Sequence, residues 1–562
     1  MSAPVLAVRL FTNGRIFTGH PGGERFVECV AASTADGRIL ALGGEAEVRA
    51  AVDAWVQDAG APDPQIELVD LGGAFAMPGF VDVHNHHALA GRSALFELEV
   101  SPTASLDELL DAVRGHASTL GADDWVVGGA WGSTLLDELA TRDALRRLDD
   151  AAGGRAVMLA DDSRHNRWVS SRALALAGIG DDFVPEGGGV ALRDPSTGAL
   201  TGVLLEAAGI PVAEAQARAG GLDAAQHRAS SKKGVEMLSG FGVTAFQDAA
   251  ASLDILAALK GLDDDGELDA WVVSSVLVND EIFGFSPIGD ELIERAEAFR
   301  SAHHRPDFVK IFLDGVPPAR TGAFLEPYLP DDAHGDHFHG HSTMDPDELY
   351  DWLRRTAARG LSAKIHCTGD ASARQVLDVV ERLRAEGVTA RYQIAHGQFV
   401  SDADIARFAA LDVAADISPF IWFPGVIPDA IAAVLPAGRA ERMQPNRALL
   451  DSGALVAGGS DWPVSESPNP WEGIERLVTR ADPLGRASGT LWPEQAISLE
   501  DALAVFTLSA ATAMGLGAET GSLAVGKSAD LITLDHDPFE VPPTALHTLR
   551  VARTYFAARR VH

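Results

Sequence analysis

Two histidines one residue apart, His84 and His86, close a short apolar run that begins at Phe80. In an extended strand, residues i and i+2 point to the same side, so both imidazoles can face one point. A lone His-x-His pair is a weak motif, but three more residues stand at comparable places. His366 closes Ala363-Lys364-Ile365, His396 closes Tyr392-Gln393-Ile394-Ala395, and Asp461 follows Gly458-Gly459-Ser460. Each alone is well explained as a hydrogen-bonded buried polar group. Together they form a donor set of imidazole nitrogens and a carboxylate, which zinc, manganese, iron and nickel all accept. Zinc is the expected ion because it acts as a Lewis acid without redox chemistry. A catalytic ion that keeps one position for water lowers the pKa of that water to about 7, which makes hydroxide available at neutral pH. His87 directly follows the pair, but the i, i+2 geometry favours His84 with His86.

These residues need a scaffold that brings distant segments to one place. Eight short apolar runs, 80–84, 243–247, 271–278, 308–313, 363–366, 392–396, 413–418 and 455–460, alternate with helical patterns, the signature of parallel strands joined by helices. Eight is the number a closed barrel requires, and its catalytic residues sit at the C-terminal ends of the strands. One helix starts at Asp345 before Pro346 and stops at Gly360, with Leu349, Leu353, Thr356 and Ala357 on its apolar face. The next carries Val376, Val379, Val380 and Leu383 and ends at Gly387. The stretch from about Ala88 to Gly240 is too long for one connection, so it predicts a folded insertion, with strand-like runs at 125–129 and 156–159. Both ends of the chain read as β-rich: 10–17, 29–42 and 66–71 at one end, 529–534 and 549–555 at the other.

The expected fold is therefore an α/β (β/α)8 barrel, the TIM barrel, over residues 77–514, with an inserted subdomain at about 95–235. A small β-sandwich built from 1–76 and 515–562 accompanies it. Eighty acidic against 45 basic residues give a net charge of −35, which repels phosphate backbones and anionic lipid. The expected partner is a small-molecule substrate, with neither nucleic acid nor membrane, and assembly into a homo-oligomer is left open. Cys29 and Cys367 are the only cysteines, too few for a disulfide framework. With no signal-like segment and no apolar stretch of membrane-spanning length, the chain reads as soluble and cytoplasmic.

The run 308–313 holds Lys310. A lysine in an apolar strand is costly to bury charged, which depresses its pKa; from the residues alone a salt-bridged lysine is the simpler account. The ordered set Met77-Pro78-Gly79-Phe80-Val81-Asp82-Val83-His84, Val309-Lys310-Ile311-Phe312-Leu313-Asp314-Gly315, Ile365-His366-Cys367-Thr368-Gly369-Asp370, Ile394-Ala395-His396-Gly397, Gly459-Ser460-Asp461-Trp462-Pro463 and Gly521-Ser522-Leu523 through Asp530-Leu531 resembles the amidohydrolase superfamily, and within it the amidohydrolase-3 (YtcJ-like) group. The resemblance spans nearly the whole chain. It implies that His84 and His86 bind a buried metal ion, that His366 and His396 bind a more exposed one, and that a carboxylated Lys310 bridges them. Asp461 would ligate metal and act as general base. His165, beside Asn166, falls in a segment that resembles one approaching the metal site, and is a candidate to stabilise the oxyanion.

The implied activity is hydrolysis of a C–N bond in an amide, formamide or related compound. Hydroxide held by the metal attacks the carbonyl, and Asp461 passes the proton to the leaving nitrogen. A ring deaminase of the same superfamily is the nearest alternative, but such enzymes carry Glu three residues after the histidine of the fifth strand, where this chain has Gly369. Ester or carbamate hydrolysis remains open, and so does a non-catalytic metal-binding regulatory protein, against which Asp461 argues. Trp131, Arg320, Phe420 and Trp471 are candidate substrate-binding walls, each equally explicable as packing. The loop 334–341, with His334, His337, His339 and His341, reads as a polar loop.

Overall fold

The computed structural model describes residues 7–58, 65–161, 166–185, 189–219, 221–279, 286–331, 333–421 and 423–562. Its centre is an eight-stranded, all-parallel sheet whose strands neighbour one another in chain order. They are β1 (Phe80–Asn85), β2 (Val243–Ala251), β3 (Trp271–Leu277), β4 (His304–Phe312), β5 (Ser362–Cys367), β6 (Tyr392–His396), β7 (Val413–Ile417) and β8 (Val456–Gly458). All residues of β1, β2, β3, β6, β7 and β8 are buried. Strands covered on both faces read as continuous apolar runs, which is why the sequence displays them. The sheet closes between β8 and β1, where the Asp461 amide donates to the His84 carbonyl at 2.7 Å. The fold is thus a (β/α)8 barrel.

Three strands differ from expectation by two residues or more at their ends, and β2 does so by running on to Ala251, four residues past the expected 243–247. β4 starts at His304, four residues before the apolar run, because His304 finds partners inside: its ring nitrogens lie 2.9 Å from Ser274 Oγ and 2.9 Å from the Phe299 carbonyl. β8 is shorter than expected and stops at Gly458, since Gly459 turns against β1. The helices follow their signals. Asp345 caps Pro346–Ala358 by accepting the Glu348 amide, and the helix buries Leu349, Tyr350, Leu353 and Thr356. Asp370–Ala385 buries Val376, Val379, Val380 and Leu383. Each is stopped by a glycine at positive φ, Gly360 at 79° and Gly387 at 83°, a conformation other residues adopt only with strain.

The chain ends form two facing sheets. One contains Ile39–Gly43, Cys29–Ser33, Ala7–Thr12 and Gln65–Asp70; the other runs Arg559–Arg560, Val551–Phe556, Leu531–Leu534, Phe75–Pro78, Arg15–Phe17 and Phe26–Val27. Phe11, Val30 and Ala32 of the first share a core with Ile16, Ala76, Leu531 and Tyr555 of the second, and Phe11 meets Tyr555 edge-on at 5.0 Å. Leu531–Leu534 pairs antiparallel with Phe75–Pro78, and the Gly79 amide donates to the Asp530 carbonyl at 3.0 Å. The C-terminal segment therefore anchors the chain immediately before β1. A helix, Glu45–Asp58, adds to what the sequence predicted there.

The chain divides into two units, Met1–His87 with Val235–Asp280 and Pro287–His562, and Ala88–Gly234 with Glu281–Ser286. The second has its own six-stranded sheet, in the order Val190–Arg193, Leu200–Leu205, Arg167–Val169, Val157–Asp161, Val126–Trp131, Leu98–Glu99. Leu109, Val113, Leu148, Leu159 and Trp168 belong to its core.

Candidate metal centre

His84 and His86 lie at the C-terminal end of β1, both buried. Their Nε2 atoms stand 3.5 Å and 3.3 Å from Oδ1 of Asp461. One donor atom from each of the three residues fits within a span of 4.8 Å. Gly459 makes this approach possible. A Cβ there would lie 2.4 Å from His84 Cβ and 2.8 Å from His84 N, so only glycine lets the chain after β8 lie against β1. Asp82 ties the same junction, its carboxylate accepting the His84 amide at 3.0 Å, the Ser460 amide at 3.0 Å and the Ser460 hydroxyl at 2.6 Å.

The other two histidines extend the cluster. The His396 ring centroid is 4.8 Å from that of His84 and 4.6 Å from that of His366. Nδ1 of His396 lies 3.1 Å from Ser418 Oγ, and Nε2 of His366 lies 3.2 Å from the Gly315 carbonyl. Burial pushes the pKa values of His84 and His396 well below the ordinary range, reinforced by the positive charges of Lys310 and Lys364 on both and by His366 on His396. These imidazoles are neutral at physiological pH, the form whose lone pair binds metal. His87 faces elsewhere, its Nδ1 2.7 Å from Asp248.

Lys310 on β4 and Lys364 on β5 are register partners, both fully buried, yet they differ in their partners. The Lys364 ammonium donates to Asp416 and, at 3.0 Å, to the Val83 carbonyl. Among the described residues the side-chain amine of Lys310 makes no hydrogen bond or ion pair; its Nζ sits 4.7 Å from the Phe312 ring centroid. Burial, and secondarily the charge of Lys364, depress its pKa to about 7. A buried amine without a polar partner is rare. The donors thus fit a divalent cation: neutral imidazoles, a carboxylate, and a lysine whose amine can be uncharged.

Of the expected substrate walls, Trp131 is packed in the core of the second unit, where its indole N–H donates to the Leu159 carbonyl at 3.1 Å. Trp471 is buried edge-on to Phe80 at 5.3 Å. Phe420 packs against Phe506 at 6.0 Å and onto Gly473. Arg320 is held by Asp331 at 2.9 Å and lies over Tyr328. Trp131, Phe420 and Trp471 thus have packing partners and Arg320 an ion-pair partner within the protein, since large side chains near strand ends fill the space between barrel and helices as readily as they line a pocket. His165 lies outside the described residues; its neighbour Asn166 is bonded to Asp161 at 2.7 Å. In the loop 334–341, Nδ1 of His334 lies 2.9 Å from Asp331 and Nδ1 of His339 lies 3.1 Å from the Phe324 carbonyl. Among the described residues, three metal donors converge only at His84, His86 and Asp461.

Sequence reasoning missed Asp82, Lys364 and Asp416. Their signal was present: each is a charged residue inside an apolar strand, where burial demands a partner. The deaminase pattern meets a steric obstacle, since a Cβ at Gly369 would lie 1.8 Å from the Ala323 carbonyl oxygen.

A parallel barrel whose strand ends gather imidazoles and a carboxylate defines a barrel hydrolase of the metal-dependent kind. Comparison with known proteins agrees: the chain belongs to the amidohydrolase family, whose model matches residues 67–562. It is accordingly a hydrolytic enzyme of C–N bonds other than peptide bonds, and its substrates are small molecules. The N-substituted formamide deformylase of Arthrobacter pascens is 28% identical over 539 residues, covering 92% of each chain. YtcJ of Bacillus subtilis (strain 168) is 26% identical, covering 89% of this chain and 91% of its own. An uncharacterized metal-dependent hydrolase from Pyrococcus horikoshii OT3 shares the fold, with a TM-score of 0.73 at 23% identity over 95% of this chain and 99% of that one. Among the described residues no helix is long and apolar enough to cross a membrane.

Proposed function

We propose that this chain is a binuclear, zinc-dependent amidohydrolase that cleaves small, largely uncharged amides of the N-substituted formamide class. The observation that carries the reading is the pairing of a three-donor cluster, His84, His86 and Asp461, with Lys310, a buried amine that has no polar partner among the described residues. His84, His86 and Asp461 would hold one ion and His366 and His396 a second, with Lys310, carboxylated on Nζ, as a further ligand. When bound, the metal supplies Lewis acidity and lowers the pKa of water in the site.

Asp461 removes the proton from the attacking water and delivers it to the departing nitrogen. Its Oδ1 within 3.5 Å of two imidazoles supports a carboxylate that would both ligate metal and take up a proton. His165 is a candidate donor to the developing oxyanion. The likeness to a formamide deformylase supports the formyl substrate class, and the net charge of −35 disfavours polyanions. The enzyme is read as cytoplasmic, with 1–76 and 515–562 as a companion domain, 77–514 as the catalytic barrel, and an inserted subdomain at about 95–235.

The test joins metal analysis to a substrate screen. Protein reconstituted with Zn2+ should hold two equivalents per chain and hydrolyse members of a panel of N-formyl, N-acyl and cyclic amides. Asp461→Asn should lower kcat by about 10²-fold or more with KM little changed. One equivalent at saturation would remove the binuclear site and the role of Lys310 in it. A phosphate ester as best substrate, with Asp461→Asn fully active, would refute the reaction class.

A further inference from the structure

The geometry points to Asp416, backed by Lys364, as the positioning residue that fixes His84 as an Nε2 ligand. The inference rests on the metal-centre reading above and deepens it. Asp416 lies in β7, a strand buried along its whole length, and its side chain is fully buried. Its Oδ2 receives two bonds: one from Lys364 of β5 and one, at 2.9 Å, from Nδ1 of His84 on β1. Both contacts span strands that are not neighbours in the sheet, so they cross the barrel interior.

An ionised carboxylate is an acceptor only, so the bond places the proton of His84 on Nδ1. Nε2, the atom 3.5 Å from Asp461, is then left with its lone pair. Lys364 adds a second constraint, because its other bond, at 3.0 Å, goes to the carbonyl of Val83, the residue immediately before His84. The ring is therefore held by Asp416 and the backbone beneath it by Lys364. Lys364 also supplies the counter-charge that lets Asp416 remain ionised among apolar neighbours. Outer partners of this type orient metal-binding histidines, and their loss costs about 10–100-fold in metal affinity.

The test separates positioning from plain packing. A buried ion pair can be exchanged for apolar side chains of similar volume with little loss of stability, so the double variant Asp416→Leu/Lys364→Met removes both charges together. Zn2+ dissociation constants by chelator competition and melting of the metal-free full-length protein are compared for wild type, the double variant, Asp416→Asn and His84→Asn. The expected result is a double variant that melts near wild type but binds Zn2+ about 10–100-fold more weakly. Asp416→Asn, which keeps an acceptor for Nδ1, should fall between the two.

Wild-type Zn2+ affinity in the double variant, with His84→Asn weakened, overturns the inference while leaving the metal centre intact. Unchanged affinity in His84→Asn overturns both. Should the double variant not fold, Asp416→Asn carries the test by the same criterion: weakened Zn2+ binding supports the role, and wild-type affinity refutes it.

Discussion

Gly459→Ala tests the link between barrel closure and the metal centre with a single methyl group. The added Cβ would lie 2.4 Å from His84 Cβ, 2.8 Å from His84 N and 3.0 Å from His84 Cα. Ordinary carbon contacts are about 3.5–4.0 Å, so β1 and the segment after β8 must part by about 1 Å or more. None of the contacting atoms is the far end of a flexible side chain that could swing aside. The separation pulls on the 2.7 Å bond from the Asp461 amide to the His84 carbonyl, and it moves Asp461, two residues on, away from His84 and His86. Overpacking of this kind costs about 1–3 kcal/mol of stability, and a misplacement of about 1 Å costs roughly 10²-fold in rate. The assays are thermal unfolding, Zn2+ affinity and kcat/KM on the best amide of the panel. Gly115→Ala, whose Cβ meets nothing within 4 Å in the helix Leu106–Ala117, is the control and should be fully active. A Gly459→Ala enzyme with wild-type Zn2+ affinity and kcat/KM would refute the claim that this close approach sets the ligand geometry.

Two further outcomes follow from the same structure. Lys310→Ala should lose bound metal and activity, with partial rescue by small carboxylates able to occupy the space of the missing side chain; undiminished metal content would remove Lys310 from the site. His304 is buried against Ser274 and the Phe299 carbonyl, and burial depresses its pKa from 6.5 to about 4, a gap of about 2.5 pH units worth roughly 3 kcal/mol. Its depressed folded-state pKa means that this stability is fully present above pH 6.5 and is lost as pH falls toward 4; His304→Gln should flatten the unfolding midpoint over that window, and an unchanged acid limb would show that other groups dominate.

Most of the scaffold was legible because barrel strands are buried on both faces, so Tyr392–His396 and Val413–Ile417 stand out as apolar runs between helical patterns. Helix ends were legible because Asp345, Gly360 and Gly387 each have a local physical reason to be where they are. The aromatic residues were not: whether Phe420 or Trp471 faces a pocket or the layer outside the barrel depends on the direction of a side chain in an irregular segment, which no periodicity records. The partners of buried charges were equally hidden. Asp416 is 332 residues from His84 and 52 from Lys364 in sequence, and only closure of the barrel brings them together.

That pattern of partners separates structural from functional charge. Asp82 is satisfied by Ser460 and the His84 amide, and Lys364 and Asp416 satisfy each other. These groups are neutralised or hydrogen-bonded within the protein, as buried charges must be. Lys310 and Asp461 are the exceptions. The first has no hydrogen-bond or ion-pair partner for its amine among the described residues, and the carboxylate of the second faces the imidazoles of His84, which burial keeps uncharged, and of His86. Burying both at the strand ends costs stability that the attraction of Asp461 for the Lys310 amine only partly offsets, which leaves their retention to be explained. A charged ligand at the strand ends does explain it: bound there, a cation offsets the carboxylate and gives the lysine nitrogen a role. The prediction is that the metal-loaded protein melts above the metal-free one, by an amount that grows with free Zn2+. Lys310→Met should narrow that difference by stabilising the metal-free form, and a metal-free Lys310→Met protein that melts below wild type would contradict the argument.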